Sequence, residues 1–520
     1  MCMSYLLLSL YSTLCYEMVN QQRNTSKPAS QPKKINPAPL NISFTNVRGF
    51  RTNFSNIESF LINNSPDILA LCETNLNSSI DTQNEFLIPG YLPLRRMDSK
   101  THMHGLGVYI RDSLPITPEV DLEDLNQPFM CFRLSLLHST SFLYFLYRSP
   151  SSQDCSVINS VSNSIDKALT SYPNANIFVF GDFNIHHQVW LKISKGIDAS
   201  GIYTYNFALS HSLHQIIEFP TRFPDRSDQS PSLIDLFLSS NPDICNASSE
   251  APLGNSDHVV ISVLVSLNCK AAHEKSYHRT LLSYEQGDWD SFRDFLRDVP
   301  WSDVFAHPAE KCAKEVSSWL SSGIEAFIPS HKYRVKPHSS PWFSPACATA
   351  IAHRNYYFHK YQRNSSIENK KLFTKARNSC KSILKNAKLS YQQRVHDQIL
   401  SQRIGSRGFW RIIKSIRNSK KSSIPPLFNG PEVLSSSKDK AELFSNLFSS
   451  NSTLDDSDHA IPEFPSRTDK TIDFCDITPS KVSTIIRNLD PSKATGPDGI
   501  PIILFQKCSP ELSPNLSIYL

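Results

Sequence analysis

At 520 residues the chain is too long for a single core, and at roughly 150 residues per unit it should hold two or three folded domains. A hydrophobic fraction of 40% with 10% aromatics excludes disorder throughout. The net charge of +5 hides an uneven distribution: the segment from His331 to Lys421 carries 21 Lys and Arg against only Glu368 and Asp397, while Leu40 to Asn268 holds 13 basic and 22 acidic residues. One segment is therefore suited to polyanions, and the first domain cannot rely on bulk attraction to reach a phosphate substrate. The twelve cysteines stand singly with no C-x-x-C pair, which argues against a zinc site or a disulfide frame and suits a reducing compartment.

Taken in chain order, the first apolar stretch, Tyr5 to Tyr16, is too short to span a bilayer and no basic residue precedes it. Residues 1–39 read as a disordered leader rather than a secretion signal. From 40 to 268, short apolar runs alternate with helical patterns. Strands are expected at Asp67 to Cys72, Gly107 to Ile110, Met130 to Leu137, Ser141 to Tyr147, Ile177 to Phe180, Leu233 to Leu238 and Val259 to Leu267, with helices at Ser55 to Asn63 and Val157 to Leu169. Many strands and few helices predict an α/β or α+β domain of sandwiched sheets. No internal repeat is visible.

Residues 269–330 form a connector in which Trp289, Phe292, Phe295, Leu296 and Trp301 suggest a short packed helix. The basic region, 331–421, contains a long amphipathic helix from Ile367 to Leu400: Leu372, Phe373, Ala376, Cys380, Ile383, Leu384, Ala387 and Tyr391 recur at helical spacing. Lys370, Lys371, Lys375, Arg377, Lys381, Lys385 and Lys388 fill its other faces and are the candidate nucleic-acid-binding residues. Tyr356, Tyr357, Phe358 and Tyr361 interleave with basic residues and suit either stacking on bases or packing in a core. A polar linker, 422–476, follows. Near the end, Thr478 is placed to cap a helix with Pro479 at its first position and an apolar stripe of Val482, Ile485, Ile486 and Leu489.

The polar residues of the first domain fall at the ends of its strands. Asn46 follows Ile42 to Thr45, Glu73 follows Ile68 to Cys72, and Asp182 and Asn184 follow Ile177 to Phe180, while Asp257 and His258 precede the last apolar run. Taken singly, each has a bland reading: a strand-end carboxylate facing water, a common turn, a surface Asp–His pair, or loop histidines in the case of His186 and His187. If the strands align, however, these residues converge on one rim. Hydrolysis of a phosphodiester needs a hard cation, a group to position or deprotonate water, and donors for the nonbridging oxygens. Carboxylates with amide oxygens suit Mg²⁺.

The pieces Asn46-Val47-Arg48-Gly49, Cys72-Glu73-Thr74, Tyr147-Arg148-Ser149-Pro150, Gly181-Asp182-Phe183-Asn184 followed by His186-His187 and Trp190, Pro220-Thr221-Arg222, Ser232-Leu233-Ile234-Asp235 and Ser256-Asp257-His258 resemble, in order and spacing, the endonuclease/exonuclease/phosphatase superfamily. In particular they resemble the apurinic-endonuclease-like domain of LINE-type non-LTR retrotransposons. The resemblance spans 40–268 and implies a four-layer α/β sandwich followed here by the basic helical region. It also implies roles. Glu73 would bind the metal with Asn46 beside it and Asp257 in support. Asp182 would orient or deprotonate the attacking water, and Asn184 would hold that water or a phosphate oxygen. His258 would contact the scissile phosphate, kept in position by Asp235, and Tyr147 would add a phosphate contact. Thr221 and Ser232 are weaker, substrate-binding transfers.

A second, shorter resemblance, from Lys493 to Pro501, is to the opening of a LINE-type reverse transcriptase, so 477–520 is expected to be the truncated N-terminal edge of that domain, without its catalytic aspartates.

The implied activity is Mg²⁺-dependent nicking of DNA, with Mn²⁺ as a substitute ion, for target-primed reverse transcription. The implied partners are target DNA and, through the basic region, element RNA. No membrane contact and no stable protein partner are expected, and the implied location is the nucleus with the cytoplasm. Two alternatives stay open: a phosphoesterase of the same fold acting on a small phosphorylated substrate, and an inactive fragment that only binds nucleic acid.

Overall fold

The structure is a computed structural model. It describes residues 39–400 apart from 82, 100–103, 137–138, 151–154, 195, 226–228, 268–276 and 336–339; beyond these it describes 409–410, 424, 426–429, 432–434, 436–453 and 476–519 without 494 and 497. The leader, the lysines and arginines of 401–408 and 411–423, and most of the polar linker lie outside the described residues.

Two six-stranded sheets make up the first domain. One contains β1 (Leu40–Asn46), β2 (Ile68–Cys72), β3 (Arg95–Met97), β4 (Leu106–Ile110), β11 (Cys245–Glu250) and β12 (Val260–Val265), in the order β11-β12-β1-β2-β4-β3. The other contains β5 (Ile116–Pro118), β6 (Phe129–Leu136), β7 (Ser139–Tyr147), β8 (Asn176–Asp182), β9 (His214–Gln215) and β10 (Asp235–Ser239), in the order β5-β6-β7-β8-β10-β9. Among the described strands of each sheet the only parallel neighbours are the central pair, β1 with β2 and β7 with β8, and each pair is joined by a crossover helix, α1 (Phe50–Asn64) and α2 (Ser156–Ser171). The two halves thus repeat one topology although their sequences do not.

Burial on both faces explains why the central strands read as unbroken apolar runs rather than alternations. Along β2, Ile68, Ala70 and Cys72 face the second sheet, whereas Leu69 and Leu71 pack with Phe50, Ile57, Phe60 and Leu61 of α1. Val157, Val161 and Ile165 of α2 cover the second sheet, together with Phe207 and Ala208 of α3 (Ala199–Ser210). The result is the four-layer α/β sandwich the resemblance implies. Helix α3 is absent from the sequence-based expectation, and α1 starts five residues earlier than expected, directly after Gly49.

The described residues divide into two compact units that do not follow chain order. The sandwich shares its unit with the described residues between 340 and 453; the other unit joins 277–335 to the described residues between 476 and 519. In this second unit β13 (Tyr277–Leu282) pairs with β14 (Ser330–Val335). Phe292 and Leu296 of α4 (Trp289–Arg297) and Leu320 and Ile324 of α6 (Ala309–Phe327), which follows the single turn α5 (Trp301–Val304), share a core with Leu504 and Leu512 near the chain's end. The charge-defined segment 331–421 therefore coincides with no compact unit, since His331 to Val335 belong to β14.

Within the sandwich's unit, α7 (Pro345–Arg363) and α8 (Ile367–Leu400) form an antiparallel hairpin. Phe358 and Tyr361 are buried against Phe223, with Phe373 packed on both, so these two aromatics take core packing, while Tyr356 stays exposed. After α9 (Ser437–Ser452), Thr478 accepts from the Lys481 amide at the start of α10 (Pro479–Asn488), the cap the sequence predicts. Among the described residues no helix is long and apolar enough to cross a membrane.

Candidate active site at the shared rim of the two sheets

Strand register decides which side chains meet. Parallel pairing sets Asn46 beside Cys72 and Tyr147 beside Asp182, and antiparallel pairing sets Asp235 beside Asp182. All of these lie at strand ends on one edge of the sandwich. Three contacts then cross from one sheet to the other: Asn46 Nδ2 donates to Asp182 Oδ2 at 3.0 Å, Tyr147 Oη donates to Glu73 Oε1 at 3.2 Å, and the His258 Nδ1 meets Asp235 Oδ2 at 2.9 Å. Asn46, Tyr147, Asp182, Asp235 and His258 are buried and form the floor, while Glu73 and Asn184 are half-exposed at its edge.

The backbone is strained where the floor meets solvent. Arg48, Glu73 and Asn184 adopt φ of 48°, 51° and 48°, a left-handed region that side chains other than Asn and Gly seldom occupy. Local bonds hold them there. The Gly49 amide donates to the Glu73 carbonyl at 2.8 Å and the Arg48 amide to Asn46 Oδ1 at 3.0 Å. Asn184 is gripped at its amide by Asp182 Oδ1 (3.2 Å) and at its side chain by the Arg148 carbonyl (2.8 Å). Strain of this kind clusters at functional sites, where the surroundings over-determine the conformation. Gly181, φ 143°, permits the close approach of β7 to β8: a Cβ there would lie 1.9 Å from the Leu146 carbonyl oxygen.

Charge is unbalanced at the floor. Burial pushes the Asp182 carboxyl up to about 8, the neighbouring Asp235 and Glu73 add to the rise, and His258 and the Asn46 amide only partly offset it. Burial alone would lower the His258 imidazole, but the Asp235 carboxylate, then Asp182 and Asp257, outweigh it and hold the group up to about 9. Asp257, although buried, is held below its usual range by His258, Arg222 and Arg48; Arg48 lies 3.1 Å and Arg222 2.9 Å from its carboxylate. Burial, then Glu73 and Asp182, raise the Tyr147 phenol, which stays a neutral donor. Donor atoms of Asp182, Asp235 and His258 lie within 4.8 Å of one another, close enough to hold one metal ion.

Of the other residues singled out from sequence, Thr221 is wholly buried and its Oγ1 accepts from the Ile234 and Asp235 amides, both at 3.1 Å. It shapes the start of β10 beneath the floor. Ser232 bridges Arg222 through its backbone. His187 is buried and its Nδ1 accepts from the Trp190 amide at 3.1 Å. On α8, Lys371, Lys375 and Lys385 are exposed and Lys381 half-buried, whereas Lys370, Arg377 and Lys388 contact the sandwich.

Three arginines received no role from sequence. Arg48 and Arg222 flank Asp257 at the edge, and Arg148, buried, donates to the Asn184 carbonyl at 2.9 Å and to Ser200 Oγ at 2.5 Å. Each sits inside one of the motifs above, within two residues of one that was assigned a role, so their position in those motifs was the available signal.

Residues 142–262 match the family model described as endonuclease-reverse transcriptase. Similar solved structures include the endonuclease domain of TRAS1, a telomere-specific non-LTR retrotransposon, at 15% identity and TM-score 0.35, covering 44% of this chain and 99% of that one. The apurinic endonuclease LMAP from Leishmania major is 14% identical with TM-score 0.37, covering 46% and 96%. A 3′-5′ exonuclease from Neisseria meningitidis is 15% identical with TM-score 0.34, covering 43% and 99%. No curated protein matches the chain.

Proposed function

We propose that the sandwich is a Mg²⁺-dependent endonuclease that nicks DNA, leaving a 3′-hydroxyl suited to priming reverse transcription. The observation that carries this reading is the set of three cross-sheet contacts that collects Glu73, Asp182 and His258, far apart in sequence, around one mouth. The family match over 142–262 supports it.

The donor set fits a hard cation. Burial first, and then the neighbouring Asp235 and Glu73 carboxylates, hold the Asp182 carboxyl high, with His258 only partly offsetting them; oxygen donors with excess negative charge are what Mg²⁺ takes. Glu73 with Asn46 and Asp182 would hold the ion, whereas Asp257 is already committed to Arg48 and Arg222. When bound, Mg²⁺ supplies charge neutralisation on the phosphate oxygens. Asp182, fixed by Asn46 and the Asn184 amide, orients the attacking water and accepts its proton. The His258 imidazolium, held by Asp235, donates to a phosphate oxygen, and Asn184 holds the water or a second oxygen. Exposed Lys371, Lys375 and Lys385 on α8 add sequence-independent phosphate contacts to DNA or RNA.

Purified full chain incubated with supercoiled plasmid and Mg²⁺ should convert it to the open circle with ligatable 3′-hydroxyl ends. Asp182→Ala and His258→Ala should not. Equal nicking by these variants, or cleavage restricted to small phosphate esters, overturns the assignment.

A further inference from the structure

The helical hairpin α7–α8 follows the sandwich in sequence and lies outside the residues the family model matches. It nevertheless holds one segment of the candidate site. Phe223 is buried with its ring 5.4 Å from Phe358 and 5.9 Å from Tyr361. Lys370 Nζ donates to the carbonyls of Pro224 (3.1 Å) and Asp225 (2.9 Å), and Arg377 lies 3.6 Å from the Asp225 carboxylate.

The same short segment is hydrogen-bonded to the site on its other side. The Phe223 amide donates to the Asp257 carbonyl at 2.7 Å, the Val259 amide to the Thr221 carbonyl at 2.9 Å, and Arg222 bridges His258 through its backbone while its guanidinium pairs with the Asp257 carboxylate. A clamp on Phe223 to Asp225 is therefore a clamp on the backbone that carries Asp257, bonded directly to Phe223, and His258, the next residue. Core packing makes such a linkage stiff, and catalysis is sensitive to displacements of the order of 1 Å.

We propose that the α7–α8 hairpin is a positioning element of the active site, acting through Phe223, Pro224 and Asp225 on Arg222, Asp257 and His258. The inference rests on the phosphodiesterase reading above, and the hairpin residues touch no substrate. Removing the Phe358 ring loosens the segment, so turnover falls while substrate affinity is held by the exposed surfaces.

In full-length protein, Phe358→Ala should lower kcat for plasmid nicking about tenfold with KM changed less than about twofold, and Phe358→Leu should restore most of the loss. Asp225→Asn, a milder surface change that retains the fold, should lower kcat in the same direction. Trp342→Phe supplies the comparison: it removes the bond from Trp342 Nε1 to Glu58 Oε1 (2.9 Å), which secures the hairpin away from the segment, and should leave kcat unchanged.

Hydrogen–deuterium exchange of the same proteins reads the linkage without activity. In Phe358→Ala and Asp225→Asn, but not in Trp342→Phe, the amides of Phe223 and Val259 should exchange faster. An inactive wild type with this exchange pattern would sink the nuclease reading and leave the mechanical linkage standing. An active wild type whose kcat and exchange at Phe223 and Val259 are untouched by Phe358→Ala and Asp225→Asn would overturn the proposal.

Discussion

The two ends of strand β2 carry buried or half-buried carboxylates that are handled in opposite ways. At its start, Asp67 is matched donor for acceptor: Arg111 Nε donates to one oxygen at 3.1 Å and the Asn41 amide to the other at 2.9 Å, while the rest of the guanidinium reaches the carbonyls of Ser65 and Pro66. At its other end, Glu73 opens onto Asp182 and Asp235, three carboxylates facing one imidazole. The first arrangement completes itself and serves the fold. The second is left short of positive charge, which costs stability and creates a place for a cation and a phosphate.

Mutations should separate the two ends, and the largest effect concerns catalysis. Asp182→Ala should reduce nicking by roughly a thousandfold or more with the melting temperature kept or raised, and His258→Ala should reduce it as far while lowering the melting temperature, because it removes the imidazolium that Asp235 and Asp182 face. Arg111→Ala should do the reverse, destabilising the chain by about 3–5 kcal/mol because it strands the Asp67 charge, while the folded fraction nicks at the normal rate. Plasmid assays beside denaturant melts distinguish these outcomes, and a nicking loss in Arg111→Ala equal to that of Asp182→Ala would erase the contrast.

Next in size is the pH dependence of the metal-free chain. The folded Asp182 carboxyl sits at about 8 against an ordinary 3.8, so between these values the folded state keeps a proton the unfolded state has lost, and stability falls as pH rises. The His258 imidazole sits at about 9 against 6.5; its contribution is present below 6.5 and is lost as pH climbs through 9. Both act in one direction, so denaturant melts should show a decline from pH 6.5 to 9, flattened by millimolar Mg²⁺ and removed in large part by Asp182→Asn. A curve rising over that range contradicts the charge account.

The smallest effect should come from the supports. Tyr147→Phe removes the donor to Glu73 and should cost about tenfold in nicking, with a shift towards higher Mg²⁺ requirement measured by titrating the metal. An unchanged metal requirement would place Tyr147 outside the ion's surroundings.

Much of the sandwich was legible because burial on both faces leaves unbroken apolar runs such as Ile68 to Cys72, and because the polar residues that follow those runs stand in a known order. Other parts left no local signal. Helix α3 buries Ser200, Gly201 and Thr204 along its first turns and only Phe207 and Ala208 beyond them, so no continuous apolar stripe marks it, and its start is marked only by Asp198, whose side chain accepts from the Gly201 amide. Strand β11 reads Cys-Asn-Ala-Ser-Ser-Glu because it is an edge strand, met from outside by Gln362 of α7 at Ser249. The seven basic candidates on α8 looked equivalent in sequence, but Lys388 is drawn onto Glu58 at 2.8 Å and Lys370 onto backbone carbonyls, contacts between segments that no periodicity encodes. The joining of 276–336 to the chain's last helices is hidden for the same reason.

Calorimetric titration of the metal-free full chain with Mg²⁺ or Mn²⁺ at pH 7, in two buffers of different ionisation enthalpy, addresses the uncompensated rim most directly. One ion should bind with net release of protons as Asp182 ionises, and Glu73→Gln and Asp182→Asn should each weaken binding severely. Heat traces showing no saturable binding, or binding that survives both substitutions without proton release, would contradict it.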